Sequence, residues 1–140
     1  MVSRADDWMR QAIRDLEHAR KSIEMGDYEW ACFAAQQAGE KAVKALYQEL
    51  GVEVWSQSIS RMLLQLPIEY KPSEDLIDKA KELDRHYITT RYPNFHPEGA
   101  PMDYYTRETA ERAIAYAEEI IRFCRDKITE IRLRRSHGET

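Results

Sequence analysis

The chain has 140 residues, enough for one domain with a real hydrophobic core and no need of disulfide or metal staples. Charged residues make up 33% of it and the net charge is −4, which suits long solvated helices and excludes a protein that coats DNA through bulk positive charge. Gly and Pro number five each, so there is no low-complexity tract or flexible linker.

Met1-Val2-Ser3-Arg4-Ala5-Asp6-Asp7 has no apolar stretch behind it, and no run approaches the roughly 18 apolar residues that cross a bilayer. Cys32 and Cys124 are isolated within apolar helical patterns, which is neither a disulfide framework nor a zinc site. The expectation is a soluble, cytoplasmic chain with no membrane contact, no metal and no cofactor.

In chain order, Ser3 with Asp6 and Asp7 predicts a helix start. Trp8, Ala12, Ile13, Leu16, Ala19 and Ile23 then recur at three and four, as far as Gly26. Asp27 is placed to cap a second helix, and Gly51 stands at its C′ position. Its stripe, Ala31, Ala34, Ala35, Ala38, Ala42, Ala45, Leu46 and Leu50, is rich in small residues. A neighbouring helix can therefore approach closely, and this helix is expected at the centre of a bundle.

Ser58 predicts the cap of a short helical segment over 59–66, stopped by Pro67. Pro72-Ser73-Glu74-Asp75 opens a third long helix with acids in its first turn, where the helix dipole favours them. Leu76, Ala80, Leu83 and Tyr87 face inward, and Pro93 predicts an end near Thr90. Residues 93–105, with Pro93, Pro97, Gly99 and Pro101, read as an ordered loop. Thr106 caps the last helix, whose stripe runs Ala110, Ile114, Ala117, Ile121, Cys124, Ile128, Ile131. Beyond Ile131 the pattern is lost. The prediction is an all-α, up-down bundle of four long helices plus one short helix, a single domain over 1–131 with a frayed tail over 132–140.

Three groups of residues carry chemistry. Arg91 and His96 would stand about 140° apart on an intact helix. Pro93 breaks the helix between them, so the loop can fold His96 back towards Arg91. Such a pair suits RNA cleavage: histidine moves a proton near neutral pH, and arginine holds the phosphate. The alternative is that Arg91 caps the helix carboxyl end and His96 is an ordinary loop residue. Gln37, Lys41 and Lys44 form the polar face of the second helix, with Glu40 to Lys44 a favourable pair; that face reads as a phosphate or partner groove, or as a solvated surface. Tyr92, Phe95, Tyr104 and Tyr105 suit base stacking, loop anchoring or a dimer interface.

Trp8 with Ala12 and Asp15-Leu16, Gly26-Asp27-Tyr28, Ala31-Cys32-Phe33 and Gln36-Gln37-Ala38-Gly39-Glu40-Lys41-Ala42-Val43-Lys44-Ala45 resemble the prokaryotic HEPN family. Thr90-Arg91-Tyr92-Pro93 and Tyr105-Thr106 with Ala110 resemble its second half. The resemblance implies a helical bundle, assembled as a homodimer with a cleft. It also implies a small nucleotidyltransferase partner in a toxin–antitoxin-like module, and a nucleotide or single-stranded RNA as ligand. Many relatives are metal-independent ribonucleases with an Arg-x(4–6)-His motif paired across the dimer, a spacing that Arg91 and His96 satisfy. The binding version of this reading takes Gln37, Lys41 and Lys44 with Tyr92 and Asn94 as the contact face; a non-catalytic dimerisation unit is the third. Tyr92 after the arginine, Pro93 inside the motif, and Gln57 where relatives often have histidine depart from the pattern of active members.

Overall fold

The computed structural model describes residues 3–138, and these form an all-helical bundle. The helices are α1 (Ala5–Glu24), α2 (Tyr28–Glu49), α3 (Ile59–Leu64), α4 (Glu74–Asp84) and α5 (Arg107–Ser136). Three single 3₁₀ turns, Ile68–Tyr70, Pro93–Phe95 and Pro101–Asp103, punctuate the connections. The expected all-α bundle is what the chain forms. No helix among the described residues is long and apolar enough to cross a membrane.

α2 is the central element, packed against α1, α3, α4 and α5. Its alanine stripe explains why. Ala31, Ala35, Ala38, Ala42 and Ala45 are fully buried and carry only a methyl group each, so neighbouring backbones come close. Gly39 takes this furthest: a Cβ there would sit 2.9 Å from Ile59 Cδ1 and 3.6 Å from Leu83 Cδ1. α3 and α4 therefore converge on one residue of α2. Gly26 and Gly51 follow α1 and α2 with φ of +80° and +79°, the left-handed geometry that stops a helix at little steric cost.

The caps form largely where the sequence places them. Ser58, Ser73 and Thr106 each accept a backbone N–H through the side chain, from Arg61, Leu76 and Thr109. Asp27 occupies the cap position of α2 without a side-chain bond, and α1 is capped by Arg4 rather than Ser3. Ser3 Oγ instead accepts from the Ala5 N–H at 3.2 Å.

Two boundaries differ from expectation. α4 ends at Asp84, and residues 85–91 continue as tight turns in which the N–H groups of Arg85, His86, Tyr87 and Arg91 reach back three residues instead of four. The Asp84 carboxylate stands at this end. It turns to α3 and accepts from the Ser58 and Ser60 hydroxyls and from the Ile59 and Ser60 N–H groups. The second difference is the tail: α5 runs on to Ser136. Arg132 reaches Glu49 and Asp6, Arg135 reaches Glu49, and Arg134 lies over the Tyr70 ring. The Glu49 side chain is only 4% exposed, and a buried carboxylate needs such partners. They fasten the last turns of α5 to the end of α2. Residues 139–140 of the expected tail lie outside the described residues.

Candidate functional site

The turns after α4 place the residues singled out from sequence. Arg91 Nε donates to the Tyr87 carbonyl at 2.9 Å, and a second guanidinium nitrogen donates to the same oxygen. Its planar head lies 4.3 Å from the centroid of Phe33 on α2 and 4.9 Å from that of Tyr87. Tyr92 flanks it at 5.3 Å. Cation–π contact and the paired donation hold the head in one orientation. The bond to Tyr87 is the helix-cap role anticipated as the alternative. It uses two of five N–H donors and leaves three for another acceptor.

His96 folds back onto the same turns. Its Nε2 lies 2.7 Å from the Thr89 carbonyl oxygen. A carbonyl only accepts, so Nε2 carries the proton and the lone pair of the neutral ring is on Nδ1. Tyr104 stacks on the imidazole with centroids 4.4 Å apart and 16° between planes, and Tyr105 meets it edge-on. The Tyr105 hydroxyl pairs with Thr89 Oγ1 at 2.7 Å, and Tyr104 donates to the Glu98 carbonyl. The residues 87–91 thus hold both Arg91 and His96 through two carbonyls two positions apart. The chain leaves the helix at Asp84, ahead of Arg91, and Pro93 opens the 3₁₀ turn that leads to His96.

The binding face divides. Tyr92 and Asn94 are exposed in the loop, close to Arg91 in sequence. Lys41 and Lys44 lie elsewhere, on the α1–α2 seam. Lys41 is paired with Asp15 of α1 at 2.5 Å, and Lys44 with Glu40 at 2.9 Å. Gln37 donates to Gln36 and Glu40. These three are engaged within the chain, and Lys44 stands about 16 Å along α2 from Phe33 at the helical rise.

His86 is the residue whose situation sequence reasoning missed. It is buried, and neither ring nitrogen has a hydrogen-bond partner among the described residues. Burial pushes its pKa down to about 4, with Glu82 opposing and Arg112 and Arg85 adding to the fall. It lies edge-on to Tyr105 at 5.7 Å, directly behind the His96 clamp. The signal was present in the spacing, since His86 follows Leu83 by three on the inward stripe. Cys32 is equally removed from chemistry, its thiol pushed up to about 12 by burial. Among the described residues, no group of three or more His, Cys, Asp or Glu could hold a metal ion.

Around Arg91 the surface is aromatic. Trp30 is 50% exposed and packs edge-on against Phe33, which in turn meets Tyr87. Tyr92 and Phe95 are 48% and 52% exposed. A guanidinium framed by partly uncovered rings is an interaction surface in composition, rich in the residue types that anchor protein interfaces.

The fold is that of a small all-helical bundle built around one alanine-rich helix, and the comparisons place it in a family. The family model of the HEPN domain matches residues 5–127, and the chain belongs to that family. It is 30% identical over 132 residues to a Methanocaldococcus jannaschii protein named "Putative toxin MJ1304", covering 88% of this chain and 87% of that protein. The crystal structure of TT1696 from Thermus thermophilus is 47% identical, with a TM-score of 0.88 over 90% of this chain and 99% of that one. ST0689, described as an archaeal HEPN homologue, is 42% identical with a TM-score of 0.77, covering 91% of this chain and 99% of its own.

Proposed function

We propose that this chain is the toxin-like member of a two-component module, acting as a homodimer that binds a nucleotide or a small nucleotidyltransferase partner. The observation that carries this reading is the uncovered aromatic surface around Arg91. Trp30, Tyr92 and Phe95 together leave a large apolar area in water that association would remove. The likeness to a protein named as a toxin supports the same direction. Light scattering at micromolar concentration tests it: a mass near twice 16.5 kDa is expected, falling to that of the monomer in Tyr92→Asp. A monomeric wild type removes the reading.

A second reading, metal-independent cleavage of RNA, is favoured by the geometry of His96. With Nε2–H held by Thr89, Nδ1 of the neutral ring accepts the proton of an RNA 2′-hydroxyl. The alkoxide attacks the adjacent phosphorus, and the 5′-oxygen leaves with a proton from an imidazolium, His96 of the second subunit. A 2′,3′-cyclic phosphate and a 5′-hydroxyl end result. Arg91 offers its three uncommitted N–H donors to the phosphate as charge develops on it. Purified protein in excess chelator should cut a mixed single-stranded RNA pool, and His96→Ala should lower the rate by at least about a hundredfold. Equal cleavage by both proteins removes this reading and leaves the first standing.

A further inference from the structure

A second site stands at the opposite end of the α1–α2 pair. The start of α1, the last turn of α2, the extended chain that follows it and the end of α5 enclose a cavity of about 540 Å³. That is within the range of pockets that take small organic ligands. Trp8 and Trp55 supply its aromatic walls, with Val52 and Val54 beside them. Trp55 is 86% exposed, so the fold does not use this indole to bury surface. A tryptophan held uncovered at the rim of a cavity is a ready stacking platform.

The polar lining has an electrostatic bias. Arg4, Lys44 and Arg135 face Glu49 and Glu53, three cations against two carboxylates in a chain whose net charge is −4. Arg135 is held by Glu49. Lys44 is held by Glu40 and lies 5.6 Å from the centroid of the Trp8 ring, which places its ammonium beside an aromatic wall. Arg4 gives only Nε to Asp7 and its side chain is 71% exposed. Four of its five N–H donors therefore have no partner among the described residues. A flat π-face next to cations with donors to spare matches a ligand with a ring at one end and an anion at the other.

We propose that this cavity binds a nucleoside monophosphate unit, its base against Trp55 and Trp8 and its phosphate on Arg4 and Lys44. The proposal rests on the nucleotide-binding part of the function proposed above and gives that ligand a place remote from Arg91. Every nucleobase has a π-face, and stacking on an aromatic side chain is worth about 1–3 kcal/mol, so the site is tolerant of base identity. The same chemistry is offered by a free mononucleotide and by the 5′-terminal nucleotide of a single strand.

Isothermal titration calorimetry with AMP, and separately with a 5′-phosphorylated oligodeoxynucleotide that has no 2′-hydroxyl to react, tests it. Saturable binding of AMP identifies the free nucleotide; binding of the strand alone identifies a strand end. In either case Trp55→Ala should weaken binding about tenfold, the middle of the stacking range. Arg4→Ala should weaken it severalfold. Adenosine and ribose 5-phosphate should each bind more weakly than AMP. Binding that Trp55→Ala does not weaken overturns the site and leaves the module reading intact. No binding of either probe overturns both this proposal and the nucleotide part of that reading. Adenosine binding as tightly as AMP, or a dimer that dissociates in Trp55→Ala, also overturns it.

Discussion

The two ends of the α1–α2 pair are built in opposite ways. At the Arg91 end the candidate side chains come from one short stretch, residues 85–105, held by that stretch's own carbonyls and rings together with Phe33 of α2. At the Trp55 end the lining comes from α1, α2, the segment after α2 and the final turns of α5. One end is a motif; the other is an assembly. The lesson is that a motif search finds the first and is blind to the second, although both set a cation beside an aromatic ring.

The sharpest way to break that contrast is at Asp84, the last residue of α4, which holds the start of α3. Asp84→Ala removes four hydrogen bonds to one carboxylate. Bonds to a charged group are worth about 1.5–3 kcal/mol each but do not add. A loss of about 3 kcal/mol is expected, which is about 10 °C in Tm for a chain of this size by circular dichroism. The turns of residues 85–91 should lose their geometry, while calorimetric binding at the Trp55 end persists below the lowered Tm.

A middle-sized effect comes from His86. Its folded pKa is about 4 against 6.5 for the free side chain, so between those values the unfolded chain binds more protons. Stability is therefore highest above pH 6.5 and is lost as pH falls towards 4. From about pH 7 to about pH 5 the loss from this one group is about 2 kcal/mol. The ring is faced by Glu82, Arg112, Arg85 and Tyr105. Urea unfolding at the two pH values should show His86→Phe losing less stability than the wild type by that amount; an equal loss would show that His86 is not the buried group it is taken for.

The smallest effect is the most discriminating. Trp55→Ala should change stability by less than about 0.5 kcal/mol, because an indole so exposed has little contact to lose. A tryptophan that matters for a ligand and not for the fold marks a site. A destabilisation of about 2 kcal/mol would show instead that Trp55 is part of the packing.

Much of the fold was legible because helices announce themselves locally. The three-and-four spacing of Trp8 to Ile23 and of Ala110 to Ile131, the caps at Ser58 and Thr106 and the glycines at 26 and 51 all reappear in the structure. The α4 boundary was misjudged: its last residue, Asp84, is tied to residues 24 to 26 positions earlier, a contact no local pattern shows. The tail was misjudged for the same reason. Arg132 and Arg135 have no apolar pattern, yet Glu49, more than 80 residues away, holds them in a helix. Of the candidate residues, Arg91 and His96 are each held by a carbonyl of the turns after α4, Tyr87 and Thr89. Gln37, Lys41 and Lys44 looked like a free polar face, because sequence shows a helix's charges but not the Asp15 that approaches them from α1.

What the sequence by itself determined is the secondary structure, the small-residue centre in α2 and the Arg-x4-His pair, since periodicity, capping and spacing act within a few residues. What only the tertiary structure decided is which charges are satisfied and which rings are left uncovered. It turned Lys41 into a seam contact, hid His86 without a partner, and left Trp55 standing over a cavity. Ion pairing, desolvation and exposure depend on what arrives from distant parts of the chain, and no local pattern carries that information.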